Sequence, residues 1–403
     1  MGGHVELVRA TNRSVRLRNR SALLSRIFLD GPLTRQDLVR GTGLSQPAVS
    51  NVVGDLIDEG LVMEAGAAES DGGRPSMMLR VVPRYALVVG VDVGETRVRV
   101  ELFDLAMILL ASVEYPLEDG GTEPATVAGH VLAGIDRVLA DARADRSEVL
   151  GVGIGVSGVV EQGTHAVVDA QTLGWEHVPL ERLIAQGTGL PLHIDNGAKT
   201  LGQAEMWFGA GRGARHAVFA LVGSGVGAAV VTNGVTYRGA SSSAGEWGHT
   251  TLVYGGRPCR CGARGCLEAY VGAEAIIDRY REARRGRAVP GEDEESQLAA
   301  LVAAADRSET ARRVLDETAD YLGAGVANLI NLFNPERVVL GGWAAMALAD
   351  LLPAVREAAG RQALRLPYAQ ASIELGQLGV DAVALGAATL PIARLLATGG
   401  TRP

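Results

Sequence analysis

The chain has 403 residues, of which 47% are hydrophobic, and it carries a net charge of −8. That length is enough for two or three domains with sizeable cores. We find no apolar run expected to span a bilayer and no signal-peptide pattern, so the sequence argues against a membrane or secreted protein and predicts a soluble, cytoplasmic one with no membrane partner.

Basic residues are concentrated near the amino terminus. Residues 1–40 contain eight arginines against three acidic side chains, Glu6, Asp30 and Asp37. An acidic protein with one basic end is compatible with DNA binding confined to that end.

Three helices with helix-turn-helix punctuation are predicted first. An amphipathic helix begins near Ser14 and stops at Gly31. Thr34 is a suitable N-cap for a short second helix, and Gly43 makes the turn after it. A third helix, capped by Ser45, has an apolar face formed by Val49, Val52, Val53, Leu56 and Ile57.

The outer face of the third helix is the candidate DNA-reading surface. Four of its residues would face the major groove: Gln46, Pro47, Ser50 and Asn51. An ordinary helical hairpin is the alternative, but two strands expected at 61–64 and 77–82 favour DNA binding, because a hairpin directly after a recognition helix is a wing. Its glycine-rich tip places Arg74 where a narrow minor groove attracts a guanidinium group. We therefore expect a DNA-binding domain over residues 1–82.

A pattern of strand, glycine turn and strand then occurs twice. The first copy is ALVVGVD, VGET and RVRVELFD, and the second, roughly 130 residues later, is AVFALVGSGVGAAVVTNG. Two copies predict a duplicated α/β unit with a cleft between its lobes. We expect a first lobe over 85–196, closed by the carboxy-terminal helix at about 380–403, and a second lobe over 197–379. Glycine turns expose backbone N–H groups that suit phosphate, but hairpins need glycine as well, so both interpretations of the turns stay open.

All three cysteines lie in one stretch, AGEWGHTTLVYGGRPCRCGARGCLEAYVG, at residues 244–272. Three thiolates and one imidazole close the tetrahedral shell of zinc and leave no position for a reactive water, so a structural zinc is predicted at His249, Cys259, Cys261 and Cys266. The alternative is three reduced cysteines beside an unrelated histidine, but cysteines this scarce seldom cluster by chance. The acidic segment that follows, at 288–297, is expected to form a surface loop.

Polar side chains beside the cysteines suit recognition of a sugar. Glu246, His249 and Glu268 place carboxylates and an imidazole on one rigid frame, which favours binding of several hydroxyl groups. The motifs GEWGH and CRCGARGCLEAY resemble the signature of the ROK family (repressor, ORF, kinase), which groups sugar kinases, sugar-responsive repressors and uncharacterised relatives. The resemblance implies that these three residues bind the sugar and that His249 also binds zinc. It further implies that residues 14–82 form the winged helix-turn-helix of the family's repressors, joined to an actin-like, two-lobed sugar kinase fold.

The same resemblance assigns ATP phosphates to two turns. These residues are Asp92, Gly94 and Thr96 in the first turn, and Gly223, Ser224, Gly225 and Gly227 in the second.

At the cleft, this chain departs from the family's kinases. Their Asn-Asp-Ala-Asn motif is similar to residues 196–199, so Gly197 stands where the kinases have their general base, and Lys199 is expected to be a solvated helix residue. Loss of a positioned base typically costs about 10²–10⁴ in rate. Thr172 replaces an Asn that touches sugar in the family, Asn196 is expected to reach the sugar from the first lobe, and the bulk of Trp343 opposes binding of adenosine.

Together these features predict a sugar-responsive transcriptional regulator, a repressor of carbohydrate-metabolism genes without kinase activity. Its expected partners are double-stranded operator DNA and a sugar, and it is expected to be a homodimer or homotetramer. The sugar-binding set is Thr172, Asn196, Glu246, His249 and Glu268. Two alternatives stay open: an active ATP-dependent sugar kinase that carries a DNA-binding domain, and a regulator whose sensor binds a protein or no ligand.

Overall fold

The computed structural model describes residues 12–67, 76–117 and 121–402. Its amino-terminal unit contains three helices and a small antiparallel sheet in which β3 pairs with both β1 and β2. The elements are α1 (Asn12–Asp30), β1 (Leu33–Thr34), α2 (Arg35–Thr42), α3 (Gln46–Asp58), β2 (Val62–Ala67) and β3 (Met77–Val81). The predicted helices and the two hairpin strands are present, and β1 is a strand that the sequence pattern did not predict.

Local side chains determine where α2 begins and ends. Thr34 Oγ1 accepts a hydrogen bond from the Asp37 backbone N–H at 3.2 Å, and Asp37 accepts one from the Thr34 backbone N–H at 2.8 Å, which forms a capping box. Gly43 ends the helix in the left-handed region at φ 69°. Ser45 holds the N-cap position of α3, but its side chain makes no capping hydrogen bond, so the predicted cap is only positional. The predicted apolar face of α3 is buried except at Ile57, which is half-buried.

The first lobe is built on a five-stranded sheet of order β11-β7-β4-β5-β6. Strands β4, β5 and β6 form an antiparallel meander, and β7 and β11 add in parallel to β4. Every residue of β7 is buried, as expected for a parallel strand inside a covered sheet. The elements are β4 (Leu87–Val93), β5 (Arg97–Asp104), β6 (Leu109–Pro116), α4 (Pro124–Ala142), β7 (Val149–Val156), β8 (Val159–Glu161), β9 (Val167–Ala170), β10 (Trp175–Val178), α5 (Leu180–Ala185) and β11 (Leu192–Asn196).

The second lobe repeats this topology. Its sheet has the order β14-β13-β12-β15-β16, in which three antiparallel strands are extended by two parallel ones. The expected duplication of an α/β unit is therefore present. The elements from the cleft onward are α6 (Gly197–Phe208), β12 (Ala217–Val222), β13 (Val226–Thr232), β14 (Val235–Thr236), α7 (Glu268–Val271), α8 (Ala273–Ala283), α9 (Glu294–Ala304), α10 (Glu309–Phe333), β15 (Arg337–Gly341), α11 (Trp343–Ala347), α12 (Leu352–Gln362), α13 (Arg365–Gln370), β16 (Ser372–Leu375) and α14 (Ala382–Ala397).

Helices α6 and α14 pack against each other between the two sheets. Their backbones meet at Gly386, where a Cβ atom would lie 1.9 Å from the carbonyl oxygen of Thr200. Only glycine allows this approach. Helix α14 also covers β4 and β7 of the first lobe, while α6 contacts β12 and β13 of the second. Thus α6 touches both lobes along its length.

The amino-terminal unit shares a continuous hydrophobic core with the first lobe. Buried side chains of α1 and α3 belong to the same cluster as side chains of β4, β5 and α14, among them Leu24, Val53, Val88, Phe103, Ile392 and Leu395. The ring of Phe28 on α1 lies edge-on to Trp207 at the end of α6, with 5.7 Å between centroids. The sequence predicts a short linker at Pro83 and Arg84, but the structure has a 3-10 helix at Pro83–Tyr85, and Ala86 is part of this core. We name this set of residues the shared core.

One helical segment of the described chain, Gly379–Ala397, is long and apolar enough to cross a membrane by length and composition. The expectation that the sequence holds no such run is therefore wrong. Because α14 packs on β4, β7 and α6, 61% of the segment is buried inside the protein. Its apolar composition is accounted for by its place in the core.

Candidate functional site

The cleft between the lobes holds a cavity of about 410 Å³. Its walls include the β4–β5 turn, the β12–β13 turn, the start of α6 and parts of the cysteine-containing stretch. All five residues predicted to bind sugar line it: Thr172, Asn196, Glu246, His249 and Glu268. The structure therefore brings together side chains that lie almost a hundred residues apart in the sequence.

The stretch that carries the cysteines is folded by short backbone contacts. Isolated bridges join Thr251 to Cys266 and Pro258 to Arg264. Gly265 has φ 82°, and a Cβ atom there would lie 1.7 Å from the carbonyl oxygen of Val253, so no other residue fits. These backbone contacts position the cysteines without the help of a metal ion.

Four potential metal ligands converge within this stretch. The ligand atoms of His249, Cys259, Cys261 and Cys266 all lie within 4.8 Å of one another. The Sγ atoms of Cys261 and Cys266 are 3.7 Å apart, as are Cys259 Sγ and His249 Nδ1. A tetrahedral zinc site with Zn–S bonds of about 2.3 Å requires sulfur atoms roughly 3.8 Å apart. The donor set and its spacing fit a four-coordinate zinc ion.

Of the two carboxylates predicted to bind sugar, Glu268 is buried and Glu246 is half-buried. Glu268 is 5% exposed, and its Oε2 accepts a hydrogen bond from the backbone N–H of Val226 at 3.0 Å. Burial raises the pKa of the Glu246 carboxyl above its ordinary value, although the charges of His249 and Lys199 act in the opposite direction. Two carboxyl groups shielded from water are strong acceptors for the hydroxyl groups of a ligand.

Two residues contributed by the first lobe differ in their hydrogen bonding. Thr172 Oγ1 is buried and has no hydrogen-bond partner among the described residues, so this hydroxyl group is free to form hydrogen bonds with a ligand. Asn196 instead caps α6: its Oδ1 accepts from Ala198 N at 2.9 Å and Lys199 N at 3.2 Å, and its Nδ2 donates to Gly158 O at 2.8 Å. Asn196 lines the cavity, but most of its hydrogen-bonding capacity is already used.

The first turn of α6 contains the glycine that replaces the kinase base. A Cβ atom at Gly197 would find its nearest atoms at 3.7 Å, on Val156 and Val383, so the position has room for a larger side chain. Lys199, expected to be solvated, is 3% exposed, and its Nζ donates to the carbonyl oxygen of Ser242. That expectation is wrong because α6 lies between the lobes, where the lysine ties the helix to the loop before Glu246.

Four of the predicted DNA-reading residues lie on α3 of the amino-terminal unit, and none of them lines this cavity. Gln46, Pro47, Ser50 and Asn51 are all exposed on α3. Arg74 lies outside the described residues. The exposed face of α3 is therefore available to a partner.

Sequence reasoning missed several charged residues at the cleft. Residues 288–297 are not a surface loop throughout, because α9 begins at Glu294; that side chain is half-buried and accepts a hydrogen bond from Ser224 Oγ. Glu295 forms an ion pair with Arg97, and Glu95 forms one with Arg260. Two of them carried a signal in their sequence positions: Glu95 lies inside a glycine turn, and Arg260 lies between two cysteines.

Comparison with known proteins agrees with this architecture. The family model described as "ROK family" matches residues 88–394. A xylose repressor of Caldicellulosiruptor bescii is 30% identical over 94% of this chain and 96% of its own length. The crystal structure of a ROK family transcriptional regulator, a homolog of the E. coli MLC protein, matches with a TM-score of 0.77 at 26% identity, covering 96% of this chain and 98% of that one. A ROK family glucokinase from Streptomyces griseus, solved with glucose and AMPPNP, matches 76% of this chain and 99% of its own with a TM-score of 0.64 and 27% identity. The chain belongs to the ROK family.

Proposed function

We propose that this chain is a sugar-responsive transcriptional repressor of carbohydrate-metabolism genes. Residues 1–82 would form a winged helix-turn-helix that binds operator DNA, and the lobes at 85–196 and 197–379 would form the sugar sensor. The observation that carries the proposal is that one protein body, connected by the shared core, presents both an exposed face of α3 and a cavity lined by Glu246 and Glu268. The xylose repressor and the ROK family transcriptional regulator match 94% and 96% of this chain, whereas the glucokinase matches 76%.

On the DNA side, α2, the Gly43 turn and α3 support a helix-turn-helix, with β2 and β3 as the wing. Gln46, Pro47, Ser50 and Asn51 would face the major groove, and Arg74 the flanking minor groove. A homodimer would require a pseudo-palindromic site. We propose a homodimer or homotetramer in the cytoplasm.

On the sensor side, the cavity supplies acceptors and donors on both walls. Glu246 and Glu268 would accept hydrogen bonds from sugar hydroxyls, and the free hydroxyl of Thr172 would complete the contact from the first lobe. Zinc bound by His249 and the three cysteines would keep the second-lobe wall rigid. A missing hydroxyl would leave a buried partner unpaired, which gives the site selectivity among sugars. The name of the xylose repressor makes D-xylose the first sugar to test, and the glucokinase solved with glucose makes D-glucose the second.

Helix α6 provides a direct connection from the sensor to the DNA-binding unit. It begins at the cavity with Asn196 as its N-cap and ends at Trp207 and Phe208, whose rings both contact Phe28 of α1. A sugar that favours one closure of the lobes would move α6 relative to the first lobe, and therefore α1. In thermodynamic terms, sugar and operator would each bias the same equilibrium between two lobe arrangements.

Replacing Glu268 with glutamine tests the sensor. The variant keeps the shape of the side chain but loses its charge, so we expect the sugar to bind more weakly by about 1.5–3 kcal/mol, while operator binding without sugar is unchanged. Titration of an operator gel shift with D-xylose and other common sugars measures both. The matched control is Glu282→Gln, whose carboxylate pairs with Arg257 on the surface of the same lobe. An equal sugar response in wild type and Glu268→Gln would show that the sensor acts through another surface.

We expect no ATP-dependent phosphorylation of any sugar that the protein binds. Gly197 has no group that could take a proton from a hydroxyl, and the loss of a positioned base typically costs about 10²–10⁴ in rate. A coupled assay for ADP release, with the same preparation from cells that lack the gene as control, measures this. Steady turnover above that control would favour the alternative of an active kinase. If no sugar from a broad panel binds, the result would favour the alternative in which the sensor binds a protein partner.

A further inference from the structure

Two glycine turns face each other across the cleft. The β4–β5 turn at 94–96 belongs to the first lobe, the β12–β13 turn at 223–225 belongs to the second, and both line the cavity. Such turns expose backbone N–H groups to a common anion. Here the space between them already contains a carboxylate of the chain itself. Glu95 Oε1 lies so close to the second turn that a Cβ atom at Gly225 would be 2.8 Å away from it.

The guanidinium group of Arg260 holds this carboxylate from the second lobe. Arg260 Nη1 is 2.7 Å from Glu95 Oε2, and Arg260 Nη2 donates to the carbonyl oxygen of Ser224 at 3.1 Å. The Glu95 side chain is 9% exposed and that of Arg260 is 30% exposed. With this little access to water the pair is screened less than one on the surface, and removing either partner would leave the other charge buried and unpaired. The pair joins residues 165 positions apart and lies across the boundary between the lobes.

Arg260 also contacts the sugar-binding wall. It lies in the sequence between Cys259 and Cys261, and its Nη2 is 3.6 Å from Oε1 of Glu268. One guanidinium group therefore connects the first lobe, the predicted metal site and a predicted sugar ligand.

A second ion pair crosses the lobes beside the first, with reversed polarity. Arg97, at the start of β5, pairs with Glu295 of α9. The first lobe thus presents a carboxylate and a guanidinium group in the order Glu95, Arg97, and the second lobe presents the complementary charges. Sliding the lobes past each other would bring like charges together, so this arrangement defines one closed position.

Two further groups at or beside the second turn are also occupied. Ser224 Oγ donates to Glu294, and the N–H of Val226 donates to Glu268. The indole of Trp343 lies against Gly223, where a Cβ atom would be 3.1 Å from its Nε1. A polyphosphate entering here would meet the carboxylates of Glu95, Glu268 and Glu294, whose negative charges would repel it.

We propose that Glu95 and Arg260 form an interlobe latch that takes the place of nucleotide phosphate between the two glycine turns, so that the cleft closes on a sugar without a nucleotide. The regulatory role of the latch rests on the proposed function, because it assumes that lobe closure is the signal to the DNA-binding unit. The existence of the latch does not depend on that function and can be tested on the sugar-free protein.

Hydrogen exchange measured by mass spectrometry on the full-length, sugar-free protein tests the latch. Arg260→Gln lies in the second lobe, yet we expect it to speed exchange of the first-lobe turn by about tenfold or more, the factor for one lost charge-assisted hydrogen bond. Glu95→Gln should speed exchange of the second-lobe turn to a similar extent. The double variant should match the single ones, because each removes the same contact.

The matched control is Arg257→Gln in the same cysteine-containing stretch. Arg257 forms a two-point ion pair with Glu282, at 2.8 and 2.9 Å, but both residues belong to the second lobe. This variant should leave exchange of the β4–β5 turn at the wild-type rate. The latch is refuted if Arg260→Gln does not speed exchange of the first-lobe turn and Glu95→Gln does not speed exchange of the second-lobe turn, compared with Arg257→Gln. The pair would then be a local contact.

Adding AMPPNP and magnesium at millimolar concentration to the wild-type protein gives a second, independent outcome. If Glu95 occupies the phosphate position, exchange of both turns should be unchanged. Protection of the turns by AMPPNP would mean that phosphate displaces Glu95, and it would overturn the proposal even if the sugar response of operator binding is intact.

Discussion

Cys266→Ser should release the metal and disorganise the second-lobe wall of the cavity. The spacing of the four ligand atoms fits zinc, and the binding energy of a structural zinc is also folding energy, of the order of 10 kcal/mol in small zinc domains. Cys266 is 1% exposed and its backbone pairs with that of Thr251, so loss of the metal at this position would also loosen the backbone around it. We expect wild-type protein prepared without chelators to hold about one zinc per chain and the variant to hold almost none.

Elemental analysis measures the metal, and titration with sugar measures the consequence for the sensor. Because Glu268 follows Cys266 by two residues, the variant should lose its sugar response together with its zinc. Thr251→Ser is the matched control, since Thr251 is exposed and pairs with Cys266 through backbone atoms only. Zinc-free wild-type protein with a full sugar response would show that the cysteines are reduced thiols with no metal role.

Leu24→Ala should destabilise the amino-terminal unit and the first lobe together. Leu24 is 1% exposed and belongs to the shared core with Val88 and Ile392. Truncation of a buried leucine typically costs about 2–5 kcal/mol, including the cavity that it leaves. Because the core is continuous, the loss should appear as one cooperative transition shifted to lower denaturant concentration, and not as early melting of a separate domain.

Far-UV circular dichroism and tryptophan fluorescence, followed through the same urea titration, distinguish these outcomes. Trp207 reports on the contact between α6 and Phe28, so its signal should change with the global transition. Leu17→Ala is the matched control, because Leu17 lies on the same helix but is 47% exposed, and its truncation should change stability little. An early transition in Leu24→Ala, separate from the main one, would mean that the amino-terminal unit folds independently.

Features encoded by neighbouring residues were predictable from the sequence. Thr34 and Gly43 mark the ends of α2. They could be recognised because a helix cap is formed by hydrogen bonds between residues only a few positions apart. The spacing of three cysteines around Gly262 and Gly265 indicated the cluster for the same reason. The repeated strand, glycine turn and strand pattern gave the two lobes, since strands of a buried sheet are apolar throughout.

Features that arise from packing between distant segments were not predictable. Lys199 has the pattern of an exposed helix residue, and only the position of α6 between the lobes buries it. The shared core joins α1 to α14, which lie near opposite ends of the chain. The residues around Pro83 and Arg84 carry no local sign of this contact, so their sequence predicted a linker. The Glu95–Arg260 pair leaves no periodic trace, because a single charge in a turn is ordinarily solvated.

The shared core has a consequence for the arrangement of the operator. A DNA-binding unit on a flexible tether can reach half-sites at variable distances, whereas this unit is packed against α14 and the first lobe. In the proposed homodimer, the separation and relative rotation of the two α3 helices would be fixed by the protein body. Each inserted base pair turns one half-site by roughly a tenth of a helical turn relative to the other, so the body would select operators by their spacing as well as by their sequence.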